Sequence, residues 1–383
     1  MKALIKFIVS IFLIIFLFNQ KVFAQDNIKI GLIVPLSGEY KEIGHSIIKS
    51  TRLAINKIND PKIEIYQRDN KADPKITLSV AKELRDKGVK IIIGPVFNEN
   101  LSYLEELNDI IFLSLTNKII KNPKNIITTG INATSQINTI KKFLEMNEIK
   151  KTVLMVPNSQ IKFEIEEALS SSKIKIKEKF IYSTDPTILT SQIEDLTFYD
   201  IRRQNLEDEI TRLKNSNDLN KERKIKNLEK KHTLGGINFD SVIIADFDES
   251  LKSVATSLLY TDVSSKRIYY ICLNQWFDQS LLNETDLQPL YYPSINKENF
   301  DNYKIKYFNA FTEDPNHLSL LSYDLVGLIY YLSLNSNIEN LNKIFKRKNS
   351  FKGKIGIFDI KNNKINHRLN FYKVENQKLT EIF

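Results

Sequence analysis

A single cysteine, Cys272, among 383 residues leaves no intramolecular disulfide to form, so the fold must rest on its apolar core. Cys272 lies in Ile268-Tyr269-Tyr270-Ile271-Cys272-Leu273, which reads as a buried strand. With no histidine beside it in sequence, the thiol reads as inert rather than reactive. Histidine is also scarce. His45, His232, His317 and His367 stand far apart, and none has a His, Cys or carboxylate partner at ligand spacing. Each reads as a surface or loop histidine, and no metal site is expected. There is no phosphate-binding loop, since Gly353 and Gly356 lack the strand-to-helix context such a loop needs. No Gly-x-Ser-x-Gly elbow occurs. Neither an acid/base nor a nucleophile constellation assembles, so no catalysis and no cofactor are expected.

Long apolar runs are absent apart from one, at the start. Lys2 and Lys6 precede the run Phe7–Phe18, and Val22-Phe23-Ala24 follows with small residues at the positions a signal peptidase reads. This order is that of a cleavable secretory signal, residues 1–24, with the cut between Ala24 and Gln25. The run falls short of the ~20 residues of a membrane-spanning helix, which sets the uncleaved-anchor reading behind cleavage. The periplasm is the compartment expected. Subtracting the leader lysines Lys2, Lys6 and Lys21 from the net charge of +9 leaves +6. Lysine is spread throughout, without the clustered Lys/Arg and stacking aromatics of a nucleic-acid surface.

What the sequence does contain is alternation. Ile28–Pro35 is a short apolar run ended by proline, and Ile43, Ile47, Ile48, Leu53, Ala54, Ile55 and Ile58 follow at helical spacing. Lys62–Tyr66 reads as a second strand. Asp73-Pro74 supplies an N-cap and a first-turn proline, Ile76, Val80, Ala81 and Leu84 form a stripe, and Gly88 ends the helix. Strands are expected at 89–95, 109–115, 125–130, 151–157, 174–181 and 239–245, with helices at 137–146, 163–170 and 318–334. Phe351–Ile360 and Leu369–Val374 read as two further strands. Short apolar strands separated by amphipathic helices imply parallel sheets with helices on both faces. The strand count is too large for one small sheet and predicts two lobes. The expected fold is α/β, two doubly wound parallel-sheet lobes joined at a hinge. The division expected is 25–139 plus 295–338 for the first lobe and 140–294 plus 339–383 for the second.

One stretch, 200–232, breaks the rhythm. It is densely charged, with Leu206, Ile210 and Leu213 spaced four and three apart, a turn signal at Asn215-Ser216-Asn217-Asp218, and Ile225 and Leu228 beyond it. Asp208 with Arg212 and Glu222 with Lys226 are acid-before-base pairs at i,i+4. The stretch reads as a projecting helical hairpin or one bent helix, either a solvated insertion or an arm for a partner. As an arm, its contact residues would be Arg202, Arg203, Leu206, Ile210 and Leu213.

In open parallel sheets, ligands sit outside the carboxyl ends of the strands. Those ends here carry Ser37 and Gly38, Phe97 and Asn98, Ser114, Thr116 and Asn117, Asn158, Tyr182, and Asp246-Phe247-Asp248. Hydroxyls, amides and helix N-terminal N–H groups suit a carboxylate. Asp246 would hold an ammonium, and Phe97, Tyr182 or Trp276 would wall the pocket. Each polar residue alone also reads as a helix cap; as a set on one face, they read as a pocket lining.

The residues also carry a resemblance. Ile30–Gly38, then Gly44 and Leu53–Asn59, resemble the opening of leucine-type (type I) periplasmic binding proteins. Asp69, Asp73-Pro74, Ala81, Leu84 and Ile91–Pro95 continue the pattern, and Tyr323-Asp324 with Phe351-Lys352-Gly353, Gly356 and Phe358 match its later landmarks. The resemblance implies two lobes that close by hinge bending on a solute and present it to a membrane permease of ABC type, with amino acids the default ligand class. Amino-acid-binding members usually offer a small hydroxyl residue after the Gly-Pro strand; Val96–Asn100 departs from this. Phe198–Gln204, Thr233–Gly236 and Phe239–Val242 further resemble proteobacterial penicillin-binding protein activators. That branch implies a regulator whose partner is a peptidoglycan synthase, with the charged insertion as contact arm; the lipid-anchor cysteine common in that group is missing here.

Overall fold

The computed structural model describes residues 27–118, 124–335, 345, 348–361 and 363–383. The signal segment lies outside them. In chain order the strands are β1 (Ile28–Val34), β2 (Ile63–Asp69), β3 (Ile91–Ile93), β4 (Ile111–Ser114) and β5 (Ile126–Thr128), then β6 (Thr152–Pro157), β7 (Glu178–Tyr182), β8 (Ser241–Ile244), β9 (Tyr269–Cys272) and β10 (Leu290–Ser294). β11 (Asn349–Lys352), β12 (Ile357–Lys361), β13 (Lys364–Arg368), β14 (Asn370–Glu375) and β15 (Lys378–Glu381) complete the set. The helices are α1 (Lys41–Ile58), α2 (Pro74–Asp86), α3 (Ala133–Met146), α4 (Ile161–Ser172), α5 (Pro186–Leu196), α6 (Tyr199–Lys214), α7 (Lys221–Leu228), α8 (Asp248–Tyr260), α9 (Ser280–Asn283), α10 (Lys297–Phe311) and α11 (Ser319–Asn335).

These strands form two sheets, ordered β11-β12-β13-β5-β4-β3-β1-β2 and β15-β14-β10-β9-β8-β6-β7. β1 to β5 pair in parallel, as do β6 to β10, and the antiparallel strands come from the C-terminal segment. Each parallel sheet is covered by helices, so its strands are buried on both faces; this is why they read as continuous apolar runs. Asp73 caps α2 by accepting from the N–H groups of Lys75 at 2.8 Å and Ile76 at 2.9 Å. Asp185 before Pro186 caps α5 in the same way, a helix start that periodicity alone does not announce. Gly44 lets α1 start against the end of β1, because a Cβ there would lie 1.7 Å from the Pro35 carbonyl oxygen.

The chain crosses between sheets at residues 129–132, at Ile295-Asn296 and at Leu369. The last crossing departs from the expected division, which gave 339–383 to the second lobe. β11 to β13 instead extend the first sheet beside β5, and only β14 and β15 return to the second. An antiparallel extension with one solvated face looks alike whichever sheet it joins, so patterning alone could not place these strands. The strand expected from Ile174 begins only at Glu178, and the one expected at 351–360 is two strands broken at Gly353–Gly356.

The crossings are tied to one another. Asn132 donates from Nδ2 to the Ile365 carbonyl at 2.7 Å and accepts from Ser135 N–H at 2.8 Å, and Ser135 Oγ accepts from His367 N–H at 2.9 Å. His367 is buried rather than on the surface, with Nε2 2.8 Å from the Thr129 carbonyl. That contact makes Nε2 the protonated nitrogen and leaves Nδ1 buried without a partner among the described residues. Burial lowers its pKa to about 4. Asp324 of α11 closes the β11–β12 turn, accepting from Lys354 and Ile355 N–H, each at 2.7 Å. A Cβ at Gly353 would lie 2.3 Å from that carboxylate, which is why glycine stands there. Burial raises the Asp324 pKa to about 6. Among the described residues, no helix is long and apolar enough to cross a membrane.

Candidate functional site

The loops after β3, β4 and β5 of the first sheet and after β8 and β9 of the second face each other. With the start of α3 and the segment before α11, they bound a cleft of about 570 Å³. Phe97, Asn98, Thr116 and Asn117 line it, as does Trp276. The other strand-end residues do not. Ser37 donates from Oγ to Asp69 Oδ2 at 2.6 Å, which ties the loop after β1 to the end of β2. Gly38 turns at φ 77° on the exposed side of that loop. Ser114 is fully buried and donates to the Pro95 carbonyl at 3.0 Å. Asn158 is exposed, its backbone N–H held by the Tyr182 carbonyl at 2.8 Å.

Tyr182 and Asp246 satisfy each other rather than a ligand. The buried phenol donates to Asp246 Oδ2 at 2.6 Å, and Oδ1 accepts from Phe247 N–H at 3.0 Å. Burial pushes the tyrosine well above its ordinary range and also raises Asp246, against the pull of these two donors. From this loop the acidic group that faces the cleft is Asp248, exposed at the N-terminus of α8.

Several lining residues escaped the sequence reading: Glu99, Lys118, Gln136, Asn274, Gln275 and His317. Asn274 and Gln275 follow β9 as directly as the others follow their strands, so the strand-end rule is the signal that reaches them. Their amides are partly spent on the frame. Gln136 Oε1 accepts from Asn274 N–H at 2.8 Å, and Asn274 Oδ1 accepts from Trp276 N–H at 3.0 Å and Ser294 Oγ at 2.8 Å. His317 is half-buried in the cleft wall against Trp276, not on the surface, and burial lowers its pKa. The cleft thus offers charges of both signs (Lys118 against Glu99 and Asp248), amides, and aromatic walls.

The stretch 200–232 does form a helical hairpin, α6 and α7. Its expected contact residues are mostly buried. Arg202 is 3% exposed and donates to the Thr197 carbonyl at 2.8 Å, Thr233 Oγ1 at 3.0 Å and the Thr261 carbonyl at 2.5 Å. Leu206 and Leu213 are buried, Ile210 is half-buried, and only Arg203 is exposed. The narrow apolar stripe of α6 is thus largely covered rather than offered to solvent. Arg212 pairs with Glu209 at 2.7 Å rather than with Asp208, and among the described residues no ion pair joins Glu222 to Lys226. The exposed apolar residues are Ile201 near the root and Leu219 at the tip.

A family profile described as a periplasmic binding protein matches residues 27–172, from β1 to the end of α4. No curated protein matches by sequence. Among solved structures, a branched-chain amino acid ABC transporter periplasmic ligand-binding protein from Burkholderia xenovorans is 11% identical, with a TM-score of 0.66 over 93% of this chain and 94% of that one. The C-domain of LpoA from Haemophilus influenzae, a regulator of PBP1A, is 13% identical with a TM-score of 0.62 over 93% and 100%. The branched-chain amino acid substrate-binding protein LivJ from Streptococcus pneumoniae, solved with isoleucine, is 15% identical with a TM-score of 0.53 over 92% and 98%. At these identities the likeness is one of fold. The chain has the type I periplasmic binding fold, which it shares with both the branched-chain amino acid binding proteins and the LpoA C-domain.

Proposed function

We propose that this chain is an exported, periplasmic receptor without catalytic activity, which binds a small solute between its lobes and presents it to an ABC-type permease. The observation that carries this reading is the convergence of strand-end loops from both sheets on one cleft. Charges of both signs beside Phe97 and Trp276 suit a zwitterion with an apolar side group, which keeps amino acids as the first ligand class to test. Asn98, Thr116 and Asn117 are the proposed polar contacts from the first lobe, and Asp248 takes the place first given to Asp246. The test is native mass spectrometry of protein purified from the exported fraction, followed by thermal melting against the twenty common amino acids. A co-purified solute, or a melting temperature that rises with ligand concentration by mass action, is the expected result. Neither a bound solute nor a shift with any of them would remove the amino-acid reading.

A second reading, a regulator of peptidoglycan synthesis, is favoured by the arm. α7 contributes no buried residue to the fold, and Leu219 at the hairpin tip is fully exposed. The contact surface would then be Ile201, Arg203 and Leu219 rather than the covered stripe of α6. Retention by an immobilised peptidoglycan synthase that is lost on Ile201→Ser with Leu219→Ser would support it; unchanged retention would sink it.

A further inference from the structure

Trp276 sits on the loop that follows β9. Its backbone N–H is fixed by Asn274 Oδ1 at 3.0 Å, and Asn274 is in turn held by Ser294 and Gln136. Trp276 and the next residue, Phe277, both adopt left-handed backbone conformations, at φ 50° and 62°. Two adjacent side-chain-bearing residues in that region are costly and persist only where surrounding contacts hold them. Phe277 makes those contacts, buried against Tyr292 of β10 and Tyr372 of β14. The turn therefore buries Phe277 in the second lobe and leaves Trp276 in the cleft wall.

The ring Trp276 meets belongs to the other lobe. His317 lies just before α11, in a segment pinned to α1: Asn316 N–H donates to Ser46 Oγ at 2.8 Å, and Ser50 Oγ donates to the Ser319 carbonyl at 2.7 Å. The indole and imidazole centroids are 4.7 Å apart, with the planes tilted by 32°. Both residues line the cleft.

We infer that the Trp276–His317 pair is a latch between the lobes, and that Trp276 is a positioning residue setting how long the cleft stays shut. Each ring is anchored to its own lobe, so opening the cleft must part them. Aromatic contact of this kind is short-ranged and is lost outright once the rings separate. An ion pair also bridges the lobes, Lys364 Nζ to Glu167 Oε1 at 3.2 Å, but both groups are well exposed and the pair is screened by solvent. Bridging of the lobes does not depend on the identity of the solute; its effect on solute retention rests on the solute-binding reading above.

The test uses paired spin labels on Glu39→Cys and Ser159→Cys, two exposed positions on loops of opposite lobes, since the native Cys272 is buried and will not label. Interlobe distances are measured by pulsed electron paramagnetic resonance without added ligand. Trp276→Ala should lower the closed-to-open ratio roughly 2- to 10-fold, the range a single aromatic contact supports. His317→Ala should do the same, the double variant should go no further, and His317→Phe should keep the original distribution. His317→Ala alters only a half-buried loop residue, so it carries the test if Trp276→Ala does not fold. An unchanged distribution in the single variants, or additive effects in the double, would overturn the latch. A shifted distribution in a protein that binds no solute would leave the latch standing and remove the solute reading.

Discussion

In the cleft, side chains at strand ends reach open space from loops that the sheets hold in place. In the arm, the residues that looked most available for contact are mostly buried. Phe97, Asn98, Thr116 and Asn117 line the cleft because β3 and β4 stop where they do. Leu206 and Leu213 are hidden because a charged helix covers its narrow apolar stripe before it can offer one to a partner, and Arg202 because it is tied to Thr197, Thr233 and Thr261 at the hairpin's root. Strand ends are fixed by backbone pairing, so a parallel sheet exports polar residues predictably. A narrow stripe in a charged helix is covered by default, and exposure has to be sought beside it.

The contrast can be tested, beginning with the arm. Arg202→Ala removes a buried guanidinium that satisfies two carbonyls and a hydroxyl, and should cost about 4 kcal/mol in urea denaturation. If Arg202 faced a partner instead, stability would hardly change and only binding would fall. The next effect concerns the hinge behind the cleft. His367 is neutral in the fold, with its pKa lowered from 6.5 to about 4. Its contribution is therefore fully present above pH 6.5 and is lost as the pH falls toward 4, on the order of 3 kcal/mol. Asp324 works in the opposite sense. Its pKa is raised from 3.8 to about 6, so its protonation favours the fold as the pH falls through that range. Denaturation midpoints of His367→Gln should then rise on acidification through this window relative to the unsubstituted protein; parallel curves would refute the assignment. The smallest effect expected is that of Leu219→Ser at the arm tip, within about 0.5 kcal/mol in thermal melting. A larger loss would mean that the tip packs on something in the free protein.

Most of the architecture was legible from residues. Apolar runs ending in Gly-Pro or Pro gave the parallel strands, and Asp73-Pro74 gave the helix start that the structure places at Pro74. What escaped was the placement of the antiparallel extension β11 to β13, whose pattern does not say which sheet it completes. The site was legible only as a direction. The strand-end rule led to the right face, but which of its polar residues remain open depends on partners distant in sequence. Tyr182 closes off Asp246 across sixty-four positions, and nothing near either residue announces the other. His317 escaped for the same reason, since its neighbour Trp276 lies on the other lobe.

The crossing at Leu369 has a consequence for how the chain comes together. The first sheet needs β11 to β13 to finish one edge, and the second needs β14 to pair with β10. Neither lobe is therefore a continuous stretch that could close on itself while the rest is still being made. A ribosome that has delivered every residue up to the end of α11 has produced two unfinished sheets, each with an open flank, and the last strands complete both within a few residues of each other. Assembly is in effect held until residues 349–381 have emerged, so removal of β14 and β15 should be felt as loss of the second lobe's closing edge.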